Sequence, residues 1–269
     1  LPMVYRRQRQ MCISNSIVPV FIADNTTPKT ATPGGASKWW LHHSLLSLNE
    51  SLNNQLIIRE GNPLSVLQAL VTEYSASHVA WNRVYEPWQI TRDAKIKTTL
   101  RQQNISVGSF NGSLLWEPMT VLKKDDTPYK VFTPYYRKGC LTRQPPRVPI
   151  TKPQNISIHI KAKFNLDVLN SLSLLPNIQW YKDIEAMWEP GESGAKKRLQ
   201  RFINEAAIRY QNDRNLPAVK GTSLLSPHLH FGEISPNQAW FAILSGFENA
   251  FNNKDLDVYL SELGWREFS

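Results

Sequence analysis

Apolar and polar positions along the first half of this chain switch between two periods. "SIVPVFIAD" (16–24) is a short apolar, β-branched run ending in Asp24, which predicts a buried strand. In "SKWWLHHSLLSLNESLNN" (37–54), Trp40, Leu41, Leu45, Leu48 and Leu52 recur at helical spacing. The alternation continues with strands over 56–60, 78–82 and 105–111 and helices over 63–74 and 91–103. Strands separated by helices are joined by crossovers, and crossovers produce parallel pairing. The pattern predicts an α/β region with a Rossmann-like parallel sheet, running to about residue 125.

Beyond it the pattern changes. "TPYKVFTPYYRKGCLTRQPPRVPITKPQ" (127–154) is rich in proline and basic residues, has no periodicity and predicts a long ordered linker. From about residue 184 the period is helical, and "SGAKKRLQRFINEAAIRY" (193–210) places Ala195, Leu199, Phe202 and Ala206 on one face. The expected organisation is an α/β domain over 1–125, a linker over 126–183 and a helical domain over 184–269. The opening "LPMVYRRQRQMC" forms no clean element where a core strand is expected. At the other end, "DLDVYLSELGWREFS" (255–269) is a helix pattern without a capping glycine or polar tail. Both ends predict a fragment of a longer protein.

A hydrophobic content of 41% with nine Trp residues supplies a substantial core. No apolar run approaches the roughly 18 residues needed to span a bilayer, no signal-peptide pattern opens the chain, and a cytoplasmic location is expected. Cys12 and Cys140 are far apart and form no C-x-x-C, which argues against a disulfide framework or a zinc site. The net charge of +9 and pI near 9.5 point to an anionic partner, nucleic acid ahead of membrane. The basic residues are dispersed, so a merely basic surface is the alternative.

Chemistry concentrates in the last sixty residues. In "GTSLLSPHLHFGEISP" (221–236), Ser226 followed by Pro227 predicts a helix start, and Ser235-Pro236 with Gln238 predicts a capping box. Thr222 and Ser223 add two hydroxyls just before a positive helix end, in a chain with no glycine-rich phosphate loop. His228 and His230 are two apart, so on a helix they face different ways and no metal site is expected. In the last helix Leu256, Leu260 and Leu263 form the core stripe, while Tyr259, Glu262, Trp265 and Arg266 fall on the adjoining face. That face is either a half-buried surface with a Glu262–Arg266 pair, or a pocket wall. In the second case Trp265 stacks on a flat ligand and Glu262 bonds its edge. Tyr210 and Arg214 lie one turn apart in "RYQNDRNLP" (209–217), where Arg214 is a phosphate holder or a solvated helix-end arginine.

These segments occur in a fixed order with "WNRVYEPWQITRD" (81–93), "SFNGSLLWEP" (109–118), "VFTPYYR" (131–137), "PGESGAKKRLQRFI" (190–203) and "ELGWREFS" (262–269). In that order the chain resembles the photolyase/cryptochrome family, most nearly a class I cyclobutane pyrimidine dimer photolyase, from about residue 17 to the last. The resemblance implies an α/β antenna domain followed by the start of an all-helical FAD-binding domain. It implies that Thr222, Ser223, Leu224, Leu225 and Ser226 wrap the FAD pyrophosphate, with Tyr210, Tyr259 and Arg266 also at the flavin. Tyr259 stands where many relatives carry tryptophan. Arg214 would grip DNA phosphate, and Glu262 and Trp265 would receive the flipped dimer. Reduced FAD excited by blue light would donate an electron, the cyclobutane ring would split, and the electron would return. Glu86, in a loop after a strand, is a candidate contact for an antenna, methenyltetrahydrofolate or a deazaflavin, or a carboxylate capping a turn. UV-damaged DNA is the implied partner and a monomer the expected state. A cryptochrome photosensor is the alternative; the pairing of Glu262 with Trp265 favours repair. The family's opening strand is not recognisable, and everything after "WREF" is absent, so this chain alone is expected to be inactive.

Overall fold

A computed structural model describes residues 16–153, 157–159 and 161–268. The expectation for the opening segment therefore lies outside the described residues. The α/β elements are β1 (Val20–Asp24), α1 (Gly35–Ser51), β2 (Ile57–Gly61), α2 (Pro63–Tyr74), β3 (His78–Asn82), α3 (Pro87–Gln102) and β4 (Ser106–Phe110). Next comes α4 (Phe132–Pro134), which runs into a π-helical turn (Tyr135–Cys140). The chain continues with α5 (Leu166–Ser171), α6 (Lys182–Met187), α7 (Glu192–Glu205) and α8 (Tyr210–Asp213). It closes with α9 (Ser226–Phe231), α10 (Pro236–Gly246) and α11 (Lys254–Phe268).

The expected parallel pairing is present as two two-stranded sheets. β1 pairs with β2 from Val20 opposite Ile57 to Asp24 opposite Gly61, and β3 pairs with β4 from His78 opposite Ser106 to Asn82 opposite Phe110. Each pair is joined through a helix, as parallel strands require. The Asn62 side chain caps α2 by accepting from Leu64 and Ser65 N–H groups, with Pro63 in the first turn. At the C-terminal strand ends Arg92 of α3 donates to Asp24 (2.9 Å) and Asp93 (2.8 Å), and the Trp81 indole donates to Asp93 (2.7 Å). One guanidinium thus ties β1 to α3, and one carboxylate ties α3 to β3.

The chain divides into two compact units, residues 1–110 with 152–192, and 111–151 with 193–269. The stretch expected as a linker, 126–183, is therefore shared between them, and its second half completes the α/β core. Leu169 of α5 is fully buried against Leu45, Leu56 and Ile58, with Phe164, Val168 and Leu172 packed around them. Ile17 makes a parallel bridge with Ile158, and Phe164 N–H donates to the Asn54 carbonyl (3.1 Å). Further on, the Trp188 ring meets Trp40 edge-to-face at 5.4 Å. Gly191, at φ +110°, lies where a Cβ would come within 2.2 Å of the Ser47 hydroxyl oxygen. These short apolar anchors have no period of their own to mark them in the sequence.

The second unit is helical. Its core joins Ala195, Leu199 and Phe202 of α7, Ala239, Trp240 and Ile243 of α10, and Leu256, Leu260 and Leu263 of α11. Trp116 packs edge-to-face on Trp240 at 5.5 Å. The Ser235–Gln238 capping box forms as expected at the start of α10. Gly264 allows the Tyr136 ring to lie on α11, since a Cβ there would come within 2.6 Å of it.

Candidate functional site

The helix expected over 193–210 does not run through. It stops at Glu205, Ala206 leaves helical geometry at φ −131°, and a 3₁₀ turn (Ala207–Arg209) leads into the short α8. This break turns Tyr210 inward, where it is buried. Its ring meets Tyr259 of α11 at 5.2 Å and 90°, and Phe202 closes on both, at 5.6 Å and 4.5 Å. The Asp255 carboxylate accepts the Gln211 backbone N–H (2.8 Å), fastening the start of α11 to α8.

On this aromatic base stands an ion pair between Arg214 and Glu262, whose side chains keep 29% and 33% of their surface exposed. The guanidinium also lies 5.2 Å over the Tyr210 ring. Its pKa is raised, chiefly by the hydrogen bond to Glu262. Burial raises the Tyr210 phenol, which Arg214 opposes. Burial also raises Tyr259, which the neighbouring Ser223 opposes.

The hydroxyl loop joins the same neighbourhood through Gly221. A Cβ at that position would lie 2.5 Å from the Asp213 carbonyl carbon, so only glycine allows the loop this close to the end of α8. Thr222 and Ser226 are exposed, Ser223 is half-buried and Leu225 is buried. Leu224 has φ +52°, an uncommon conformation for a branched residue. Ser226 is not the cap that its Ser-Pro pattern suggested. It is the first residue of α9, with Leu225 in the cap position and no side-chain cap bond. Leu225 already has right-handed helical geometry (ψ −8°), which moves the start forward by one residue.

The structure brings Tyr210, Arg214, Ser223, Tyr259 and Glu262 together. Trp265 and Arg266 lie further along α11 and engage other groups. The Trp265 ring, 44% exposed as a residue, stacks on Phe132 at 3.7 Å and 13°, and Phe132 stacks in turn on Tyr136 at 5.6 Å. Arg266 donates to the Ser113 carbonyl and, at 3.5 Å, to the Leu229 carbonyl. The Glu262–Arg266 pair read from i,i+4 spacing therefore does not form, because Glu262 has a partner 48 residues away. Tyr259, placed by spacing on the adjoining face, is buried with the leucine stripe. His228 is buried with Nδ1 2.5 Å from a Glu233 carboxylate oxygen, an internal contact. Glu86 in the α/β unit makes no cap bond to α3; it accepts the Trp88 indole N–H at 2.7 Å.

Two residues escaped the sequence reading. Phe132 is the stacking partner of Trp265, and nothing in its local pattern signals this. Glu267 could have been found, because it continues the apolar stripe of Leu256, Leu260 and Leu263. Its carboxylate is buried and accepts the Trp116 backbone N–H at 3.2 Å. Burial pushes its pKa up to about 7.

A family model described as DNA photolyase matches residues 9–154. A deoxyribodipyrimidine photo-lyase of Agrobacterium fabrum is 38% identical over 94% of this chain and 52% of its own length. Cryptochrome-2 of Arabidopsis thaliana is 31% identical over 94% of this chain and 44% of its own length. The crystal structure of a bacterial class III photolyase from Agrobacterium tumefaciens superposes with a TM-score of 0.85 at 35% identity. That match covers 95% of this chain and 52% of the other. Its class differs from the class I that the motifs suggested. The chain spans about half the length of the curated relatives it matches. Among the described residues no helix is long and apolar enough to cross a membrane.

Proposed function

From the DNA photolyase family, to which this chain belongs, we propose that the whole protein is a light-driven repair enzyme for cyclobutane pyrimidine dimers in DNA. The observation that carries this reading is the convergence of Arg214, Glu262, Tyr210 and Tyr259 beside the Ser223 hydroxyl. It joins a cation for phosphate, a carboxylate for a base edge and a hydroxyl-rich anion cradle within one unit.

The family binds FAD, and the residues present suit its pyrophosphate. Thr222 and Ser226 are exposed, and among the described residues no protein group takes their hydroxyls. They would donate to phosphate oxygens, with Ser223 between them, while the Leu224 turn keeps the loop open and Leu225 anchors it in the core. Tyr210, Tyr259 and Arg266 would border the nucleotide, Arg266 fixing the neighbouring backbone through Ser113 and Leu229. When bound and reduced, FAD supplies the light-driven electron. The chain's own part is to hold the lesion: Arg214 on a backbone phosphate, Glu262 accepting from a dimer N–H, and Trp265 offering its indole to an extruded base. In the α/β unit, Glu86 beside Trp88 is proposed to face an antenna, a folate or a deazaflavin.

The test is light-dependent restoration of thymines in a dimer-containing oligonucleotide by the flavin-loaded whole protein. Repair is expected, with a marked loss in Glu262→Gln. The 31% identity to a cryptochrome over 94% of the chain favours one second reading, a flavin photosensor. Photoreduction of the flavin without any dimer reversal is its expected signature.

A further inference from the structure

Arg214 is not waiting for phosphate. Its guanidinium is held on one side by the Glu262 carboxylate and lies over the Tyr210 ring, 5.2 Å away. The pair is only partly exposed, and both side chains sit on elements fastened to each other by the Asp255–Gln211 bond and the Tyr210–Tyr259 packing. A phosphate reaching for Arg214 therefore meets a competing carboxylate already in place and an anion that repels it. Conversely, a nucleobase that donates to Glu262 draws charge away from the pair and releases the guanidinium. Two ligands that disturb one shared contact must each ease the binding of the other, by equal factors.

We propose that Glu262 restrains Arg214 and thereby sets the specificity of DNA binding. The pair suppresses phosphate gripping on undamaged DNA, and engagement of Glu262 by an extruded base lifts that suppression. This inference rests on the reading of the protein as a DNA-binding photolyase and adds the regulation of that same site. Glu262 acts here as a positioning residue for Arg214, in addition to its proposed contact with the lesion.

The experiment compares the flavin-loaded whole protein with Glu262→Gln, Arg214→Ala and the double variant. Each is titrated with a fluorescent oligonucleotide, undamaged or carrying one thymine dimer, at low and high salt. Glutamine keeps the shape of Glu262 and removes its charge. Glu262→Gln is expected to bind undamaged DNA about two- to fivefold tighter, the worth of a partly exposed pair. Its salt dependence should steepen, and discrimination in favour of the dimer should fall. In the Arg214→Ala background the same substitution should give no gain. A gain that persists without Arg214 overturns the inference and assigns the effect to general repulsion. Unchanged or weaker binding of undamaged DNA by Glu262→Gln overturns it as well, while leaving the repair reading intact. A wild-type protein that binds neither oligonucleotide removes both.

Discussion

Glu267 lies on the stripe that carries Leu256, Leu260 and Leu263, and that placement governs its ionisation. Its carboxyl is raised from 4.5 to about 7, first by burial, against the help of the Leu115 and Trp116 N–H groups. Below about pH 4.5 the proton is bound in both folded and unfolded chains, and the group has no effect on stability. As pH rises toward 7 the unfolded chain releases the proton while the folded chain keeps it, so stability falls. Above 7 the loss is complete, at about 3 kcal/mol at most. Glu267→Gln should remove this slope: the gap between the variant's and the wild type's melting temperatures should shift in the variant's favour from about pH 5 to about pH 8. A gap that does not move would show that burial is not what sets this carboxyl. Trp265 makes a second residue-scale case. If its indole receives an extruded base, Trp265→Ala should cost about 1–3 kcal/mol of affinity for dimer-containing DNA. Binding to undamaged duplex, measured in the same titration, should hold. Equal weakening of both would instead assign Trp265 to the Phe132 stack alone.

At the scale of elements, α5 is the clearest departure from the sequence reading. Leu169→Ala should lower the stability of the α/β unit by about 2–5 kcal/mol. Hydrogen exchange should then quicken in β2, whose Leu56-to-Ile58 edge it supports, whereas a residue in a mere linker would change neither. Where apolar period and punctuation agreed, the elements were legible: α2 and β3 have the bounds their patterns set. α3 begins at Pro87 rather than at 91, since the Glu86-Pro87 step is itself a helix start. The second part of the 126–183 stretch was illegible because its short apolar anchors have no period of their own. Their meaning lies in Leu45 and Leu56, more than a hundred positions earlier. The site divides in the same way. Spacing placed Glu262 on the face adjoining the leucine stripe and Arg214 at a helix end, but only tertiary packing pairs them.

For the whole molecule, the excess of nine positive charges should make binding of undamaged DNA strongly salt-dependent. Affinity is expected to fall by at least about tenfold between roughly 50 and 200 mM salt, as read by fluorescence anisotropy. A flat response would mean that the basic residues are too dispersed to meet the phosphate backbone. The division of the chain has a consequence for the order of synthesis. The α/β unit ends its first pass at Phe110 and is completed only by residues 152–192. While the polypeptide grows from the ribosome, β1 to β4 are therefore translated well before Leu169 exists to cover Leu56 and Ile58. Residues 111–151, which belong to the other unit, emerge during that interval. The nascent chain must hold an apolar sheet edge open through some sixty codons of translation, from the end of β4 to α5. That pause is when a chaperone or a neighbouring nascent chain would find it.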